Sequence, residues 1–209
     1  MSIICPTVLA ETPADFREQM ERVAPFATRI QIDLMDGDFA PTKSIAPIQV
    51  WWPEELVADI HLMFRQPINH LETLISLEPH MIILHAEAEG DLLGMMRHLQ
   101  KLDIKAGVAL LKDTPVSAAK ELIMQADHAL LFSGDLGRFG GEADMAVLSK
   151  IAELQTLHPD IEIGWDGGAN VSNAAQLAQS GVAVINVGGA IQSAANPAQA
   201  YRELTQSIK

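Results

Sequence analysis

The sequence predicts an α/β protein, a single closed (β/α)8 TIM barrel over residues 1–209. Three observations predict it. Eight short apolar runs of strand length recur along the chain, each bounded by turn residues. Amphipathic stretches of helical period separate them. The whole fits into 209 residues with no linker or composition shift to mark a second domain. Eight strands alternating with helices at this length is the count for a closed parallel barrel. An open doubly wound sheet is the rival, because pattern alone does not show closure.

In chain order the strand runs are "SIIC", "RIQIDLM", "LVADIHLM", "MIILHA", "KAGVALL", "HALLFS", "IEIGWD" and "VAVINVG". The helical stretches include "TPADFREQMERVA", "PINHLETLISLE", "EGDLLGMMRHLQKL", "TPVSAAKELIMQA" and "NVSNAAQLAQSG". Thr12 with Pro13, Thr114 with Pro115, and Asn170 are expected to open helices, and Gly181 to close one. Pro41, Pro47 and Pro53 break up the connection between the second and third strands. Met95, Met96 and Met124 sit at helical spacing and read as core.

A net charge of −13 disfavours nucleic acid and anionic membrane as partners. An anionic small substrate would have to be held by local backbone donors or a few placed cations. Cys5, the single cysteine, excludes an internal disulfide, fits a reducing compartment and reads as a small buried hydrophobe. No basic segment or long apolar stretch opens the chain, and no run is long enough to span a bilayer. The expectation is a soluble cytoplasmic protein. The oligomeric state stays open, a homo-oligomer among the options.

The polar residues of the strands follow a parity. Gln31, Asp33 and Met35 share one face of the second strand, and Ile30, Ile32 and Leu34 the other. Asp59, His61 and Met63 share a face of the third, and Ile83, His85 and Glu87 one of the fourth. Gly164 and Asp166 share a face of the seventh, opposite Ile163 and Trp165. In a barrel both faces of a strand are covered, so these acids and imidazoles look into the interior, towards the mouth at the strands' carboxyl ends. A buried carboxylate without a purpose is costly. His85 with Glu87 reads first as a buried hydrogen-bonded pair, and Asp59 as a structural residue or one able to orient His61 from behind. His70, His80, His98, His128 and His158 read as surface or helix-end residues. Asp36 is expected to brace the loop after the second strand, with Gly37 serving its turn.

The motifs "IDLMDGDFAP", "DIHLM", "LHAEA", "AGVALLKDTPV", "RFGGE" and "WDGGANVSNAAQLAQSGVAVINVGGAI" resemble, in order and spacing, the ribulose-phosphate 3-epimerase family. The resemblance runs from "CPTVLA" to the last helix. It implies a (β/α)8 barrel that moves a proton at the carbon next to a ketone, with Asp33 and Asp166 as the acid–base pair. It also implies a divalent cation that stabilises the enediolate. The ligands would be Asp33, His61 and Asp166, with Gln31 where the family has a second histidine. Zinc, iron, manganese and magnesium all remain open, since an amide oxygen suits the harder ions.

The phosphorylated sugar substrate would sit on backbone amides of Gly140, Gly141, Gly167, Gly168 and Gly188. Gly189 stands where the family offers a serine hydroxyl. The loop "SGDLGRFGGE" is one residue longer than usual and carries Arg138, a candidate phosphate clamp. Met35 and Met63 match methionines that cap the enediolate, and Phe132 stands in for a third. Thr7 replaces a serine, Thr42 an asparagine, Leu111 a polar residue and Lys112 a proline. These departures leave two alternatives open: an epimerase of a different pentulose or hexulose phosphate, and a non-catalytic sugar-phosphate-binding paralogue. A lyase or decarboxylase would want a lysine beside the strand-two acid, and that strand has none.

Overall fold

The first strand, β1 (Ile3–Val8), pairs in parallel with the last, β8 (Val184–Val187), and this pairing decides between barrel and open sheet. The computed structural model describes residues 2–137 and 141–209. Ile3 lies opposite Val184, Cys5 opposite Asn186 and Pro6 opposite Val187. Between them run β2 (Arg29–Met35), β3 (Val57–Met63), β4 (Met81–His85), β5 (Lys105–Leu110), β6 (His128–Phe132) and β7 (Glu162–Asp166). Each pairs in parallel with its neighbour in sequence, so the ring closes. Along β2 and β3 the register sets Gln31 against Asp59, Asp33 against His61 and Met35 against Met63.

The helices are α1 (Pro13–Val23), α2 (Leu71–Ile75), α3 (Leu92–Lys101), α4 (Lys120–Gln125), α5 (Lys150–Leu157), α6 (Ala174–Gln179), α7 (Gly189–Gln192) and α8 (Pro197–Ser207). Thr12 caps α1 as its sequence suggests, its side chain accepting the Asp15 N–H. Gly181 follows α6 with a φ of +102°, a conformation that favours glycine. The other two expected caps act differently. Thr114 precedes a 3-10 turn, Val116–Ala119, that leads into α4. Asn170 organises a turn whose side chain accepts from Ser172, and α6 begins only after Asn173.

Outward-facing Ile30, Ile32, Leu34, Ile60, Leu62 and Trp165 bury against the helices, where Phe16, Met20 and Leu177 meet them in one cluster. Met95 and Met96 belong to that core, but Met124 is 53% exposed, on the outer face of the short α4. Inside the barrel Met81, Ile83, Ala109 and Leu130 form a separate apolar layer.

An ion network occupies the amino-terminal end of the barrel. The Arg29 guanidinium donates from Nε to Asp59 at 2.6 Å and from both Nη atoms to Glu162 at 3.0 and 2.8 Å. His80 and His128 flank it, each with Nδ1 2.8 Å from Asp59 and Glu162 respectively. One sequence expectation is corrected here and another is narrowed. His128 is buried in the barrel interior, because the first residue of β6 points inward in this register. Of the two roles open to Asp59 it takes the structural one, bonding Arg29 and His80, and it does not orient His61. Gly164 makes the room His128 needs, since a Cβ there would run into the imidazole. Polar residues at this end of a (β/α)8 barrel serve stability.

Candidate active site

At the opposite end, β2, β3, β4 and β7 deliver their inward side chains to one point. Asp33 and Asp166 lie three strands apart round the ring, yet both accept hydrogen bonds from Gln31 Nε2, at 2.8 and 2.7 Å. The same two oxygens, Asp33 Oδ1 and Asp166 Oδ2, lie 3.0 and 3.4 Å from His61 Nδ1. Among the described residues, no protein donor takes the second oxygen of either carboxylate. Asp33 is buried, and its pKa is raised, first by burial and then by the charge of Asp166; His61 and Gln31 offset part of this. Burial alone would lower His61, but hydrogen bonds to Asp166 and Asp33 raise it to about 9.

A chain of contacts runs outward from His61. Its Nε2 lies 2.9 Å from Nε2 of His85, whose Nδ1 is 3.2 Å from Glu87 Oε2. Both imidazoles are fully buried. Burial and the neighbouring His61 charge push His85 down to about 4. Burial would raise Glu87, but hydrogen bonds from His85, Thr114 and the Leu111 backbone bring it down to about 2.

Above the acids opens a cavity lined by Thr7, Asp33, Met63, Phe132, Asp166 and the glycine loops after β6, β7 and β8. Size does not single it out. Its volume is about 160 Å³, against about 790 Å³ for a depression at the other end near Ser2 and Tyr201. It is distinguished by its chemistry, because the larger depression has no acid pair. Met35 and Met63 pack with Leu9 and Ala40 into an apolar cluster that Phe39 and Leu136 extend. The Phe39 ring lies 4.7 Å from that of His85, and Phe132 lies 5.9 Å from that of His61. Thr42 donates to the Gly137 carbonyl at 3.0 Å, tying the loop after β2 to the loop after β6. Asp36 braces the β2 loop by accepting from the Asp38, Phe39 and Arg65 N–H groups.

Gly167 and Gly168 follow Asp166 with φ of +108° and +69°, and a Cβ on either would meet the backbone of the β6 loop. The two loops therefore pack backbone to backbone beside the cavity. Gly141, Gly188 and Gly189 also line it. Gln31 lies beneath the acids, where its amide joins them. Arg138 and Gly140 lie outside the described residues. Sequence reasoning missed Asn186, whose buried Oδ1 finds no donor among the described residues and which lines the cavity. Its signal was available: it is the one polar residue of "VINV" and shares a face with Gly188.

Asp33, His61 and Asp166 each offer a ligand atom within 4.8 Å of the others, so this group could hold a metal ion. Two carboxylates and one imidazole fit a divalent cation. A half-turn of the Gln31 amide would exchange its Nε2 for Oε1 and make it a fourth ligand.

A closed (β/α)8 barrel with opposed acids and glycine loops at its carboxyl-terminal mouth is the frame of an enzyme that handles a small anionic substrate. The chain belongs to the Ribulose-phosphate 3 epimerase family, whose model matches residues 3–192. It is thus an isomerase, an epimerase acting on carbohydrate phosphates. Among curated relatives it is 28% identical over 214 residues to the ribulose-phosphate 3-epimerase of Bacillus subtilis, covering 98% of each chain. It is 29% identical over 215 residues to that of Mycobacterium tuberculosis, covering 97% of this chain and 91% of the relative. Among solved structures it resembles KGPDC from Streptococcus mutans. The TM-score is 0.72 at 13% identity, with 100% of this chain and 97% of that one covered. A 3-hexulose-6-phosphate synthase matches with a TM-score of 0.70 at 14% identity, over 99% and 100% of the two chains. At these identities the structural likeness speaks for the fold alone. No helix among the described residues is long and apolar enough to cross a membrane.

Proposed function

We propose that this chain epimerises a phosphorylated ketose, ribulose 5-phosphate, at the carbon beside the ketone by proton transfer between Asp33 and Asp166. The observation that carries this reading is the convergence of the two acids from β2 and β7 on one amide at the cavity floor. Removing the proton from that carbon leaves an enediolate, and returning one to the opposite face inverts the centre. One carboxyl must be ionised and its partner protonated. Burial and the charge of Asp166 disfavour ionised Asp33, which supports a pair that holds one proton between its members.

Gln31 and His61 gather the inner oxygen of each carboxylate and leave the outer oxygens for substrate. Asp33, His61 and Asp166, with Gln31 turned, are the residues to hold a divalent cation. When bound, such an ion stabilises negative charge developing on the substrate oxygen. Met35, Met63 and Phe132 form apolar cover that keeps water from the reacting carbon. Backbone N–H groups of Gly141, Gly167, Gly168, Gly188 and Gly189 are the cradle for the phosphate, and Arg138 is its candidate clamp.

Thr42, Leu111, Lys112 and Gly189 differ from the family pattern at the mouth and favour a second reading, an epimerase of another pentulose or hexulose phosphate. Solvent deuterium uptake by a panel of ketose phosphates separates the two. Turnover of ribulose 5-phosphate above the others supports the first, and preference for another ketose the second. No uptake by any of them would leave the non-catalytic binder.

A further inference from the structure

Both oxygens of Glu87 are engaged. Oε1 accepts the Leu111 backbone N–H at 3.0 Å, and Oε2 faces His85 Nδ1 at 3.2 Å. An ionised carboxylate only accepts, so the hydrogen in the second contact belongs to His85 Nδ1. His85 is fully buried, and as a neutral imidazole with its one hydrogen on Nδ1 it leaves Nε2 as a bare lone pair. That atom lies 2.9 Å from Nε2 of His61, so the hydrogen there belongs to His61. His61 then turns Nδ1 towards the oxygens of Asp33 and Asp166. Without an ion, that nitrogen carries a second hydrogen and donates it to the carboxylates; a cation bound there would take the place of that hydrogen while the one on Nε2 stays.

We infer that Glu87 is a positioning residue: acting through His85, it reserves Nδ1 of His61 as a ligand atom for the divalent cation. The inference rests on the reading above that a cation is held by Asp33, His61 and Asp166. It assigns a role to the "HAE" stretch that a buried hydrogen-bonded pair alone would not have. A partner behind a ligating imidazole commonly sets its tautomer; here a second imidazole stands between carboxylate and ligand. A hydroxyl such as that of Thr114 can donate to a carboxylate or accept from an amide NH2, so it imposes neither direction.

Glu87→Gln tests this with almost no change of shape. The Leu111 N–H is a fixed donor and would take the amide oxygen. The amide NH2 would then face His85 Nδ1 and donate to it. His85 would carry its hydrogen on Nε2, His61 would accept there, and the one hydrogen left on His61 would be held on Nδ1, blocking the ligand atom. Long-range 1H–15N NMR of the imidazoles in the ion-free protein reads the tautomers, and titration with Mn2+ reads the ligand. The expected result is an Nδ1–H His85 in wild type and an Nε2–H His85 in the variant. The Kd for Mn2+ should rise about tenfold or more. An Nε2–H His85 in wild type overturns the inference, as do unchanged imidazole shifts or an unchanged Mn2+ Kd in the variant. Because the shifts are read without metal, they decide the tautomer separately. Failure of wild type to bind Mn2+ would overturn the cation reading itself.

Discussion

Asp33 and Asp166 stand on strands that are not neighbours, and Nε2 of Gln31 joins them, 2.8 Å from one and 2.7 Å from the other. An amide NH2 has two hydrogens, so it can serve both acids at once without adding charge. An imidazole at the same position would offer only one nitrogen to this space. The substitution thus trades a metal-ligand position for a hydrogen-bonded bridge that the amide can open by turning.

Gln31→His is therefore expected to replace the bridge with a fourth ligand, an imidazole nitrogen. Binding of zinc or manganese should tighten by about tenfold or more. Competition against a fluorescent chelator measures it. Equal affinities in wild type and variant would mean that Gln31 already contributes as much to the site as a histidine.

The ion network at the amino-terminal end predicts a stability effect. Glu162→Gln takes from Arg29 one of its two carboxylates and from His128 its carboxylate partner, and should cost about 1–3 kcal/mol in chemical denaturation at pH 7. The low end is favoured because Glu162 is 33% exposed. Turnover should change little. A loss of activity with unchanged stability would contradict a structural role for this end.

The pH dependence of stability follows from the depressed carboxylates. Hydrogen bonds and charge hold Glu162 well below its ordinary 4.5, and Glu87 comes down to about 2. A carboxylate lowered in the folded state adds stability that is complete above its unfolded value and is lost as pH falls through the folded one. The melting temperature should therefore fall between pH 5 and pH 2. Glu162→Gln should flatten the decline. An identical slope in the variant would remove Glu162 from the account.

Gly164→Ala should destabilise the barrel, because the added methyl collides with the buried His128 imidazole. Overpacking of this kind costs about 1–3 kcal/mol. Pairing it with His128→Ala should recover part of the loss, as a double-mutant cycle would record. Strictly additive losses would mean that the two residues do not crowd each other.

The strands were legible because their apolar runs are short, and parity alone turned Asp33, His61, His85 and Asp166 inward. Their meeting point was less legible, because Gln31 reaches Asp166 across 135 positions of sequence. His128 read as a surface residue, since one histidine at the start of "HALLFS" carries no sign of the Glu162 that will meet it. Asp59 sits two residues before His61, a spacing that suggests a shared task, yet Arg29 comes up from β2 and takes it. Met124 fits a helical stripe, but α4 spans only Lys120–Gln125 and its outer side stays in solvent. Pattern identifies which residues face inward. The long-range register decides whom they meet.

The central claim is two acids, each serving one face of the reacting carbon, and isotope exchange in single variants tests it most directly. Asp33→Asn and Asp166→Asn should each slow epimerisation by ~10²-fold or more. In D2O each variant should still exchange the proton of one epimer through the remaining acid, and the two variants should exchange opposite epimers. Near wild-type turnover in either variant, or exchange of the same epimer by both, would contradict the two-acid account.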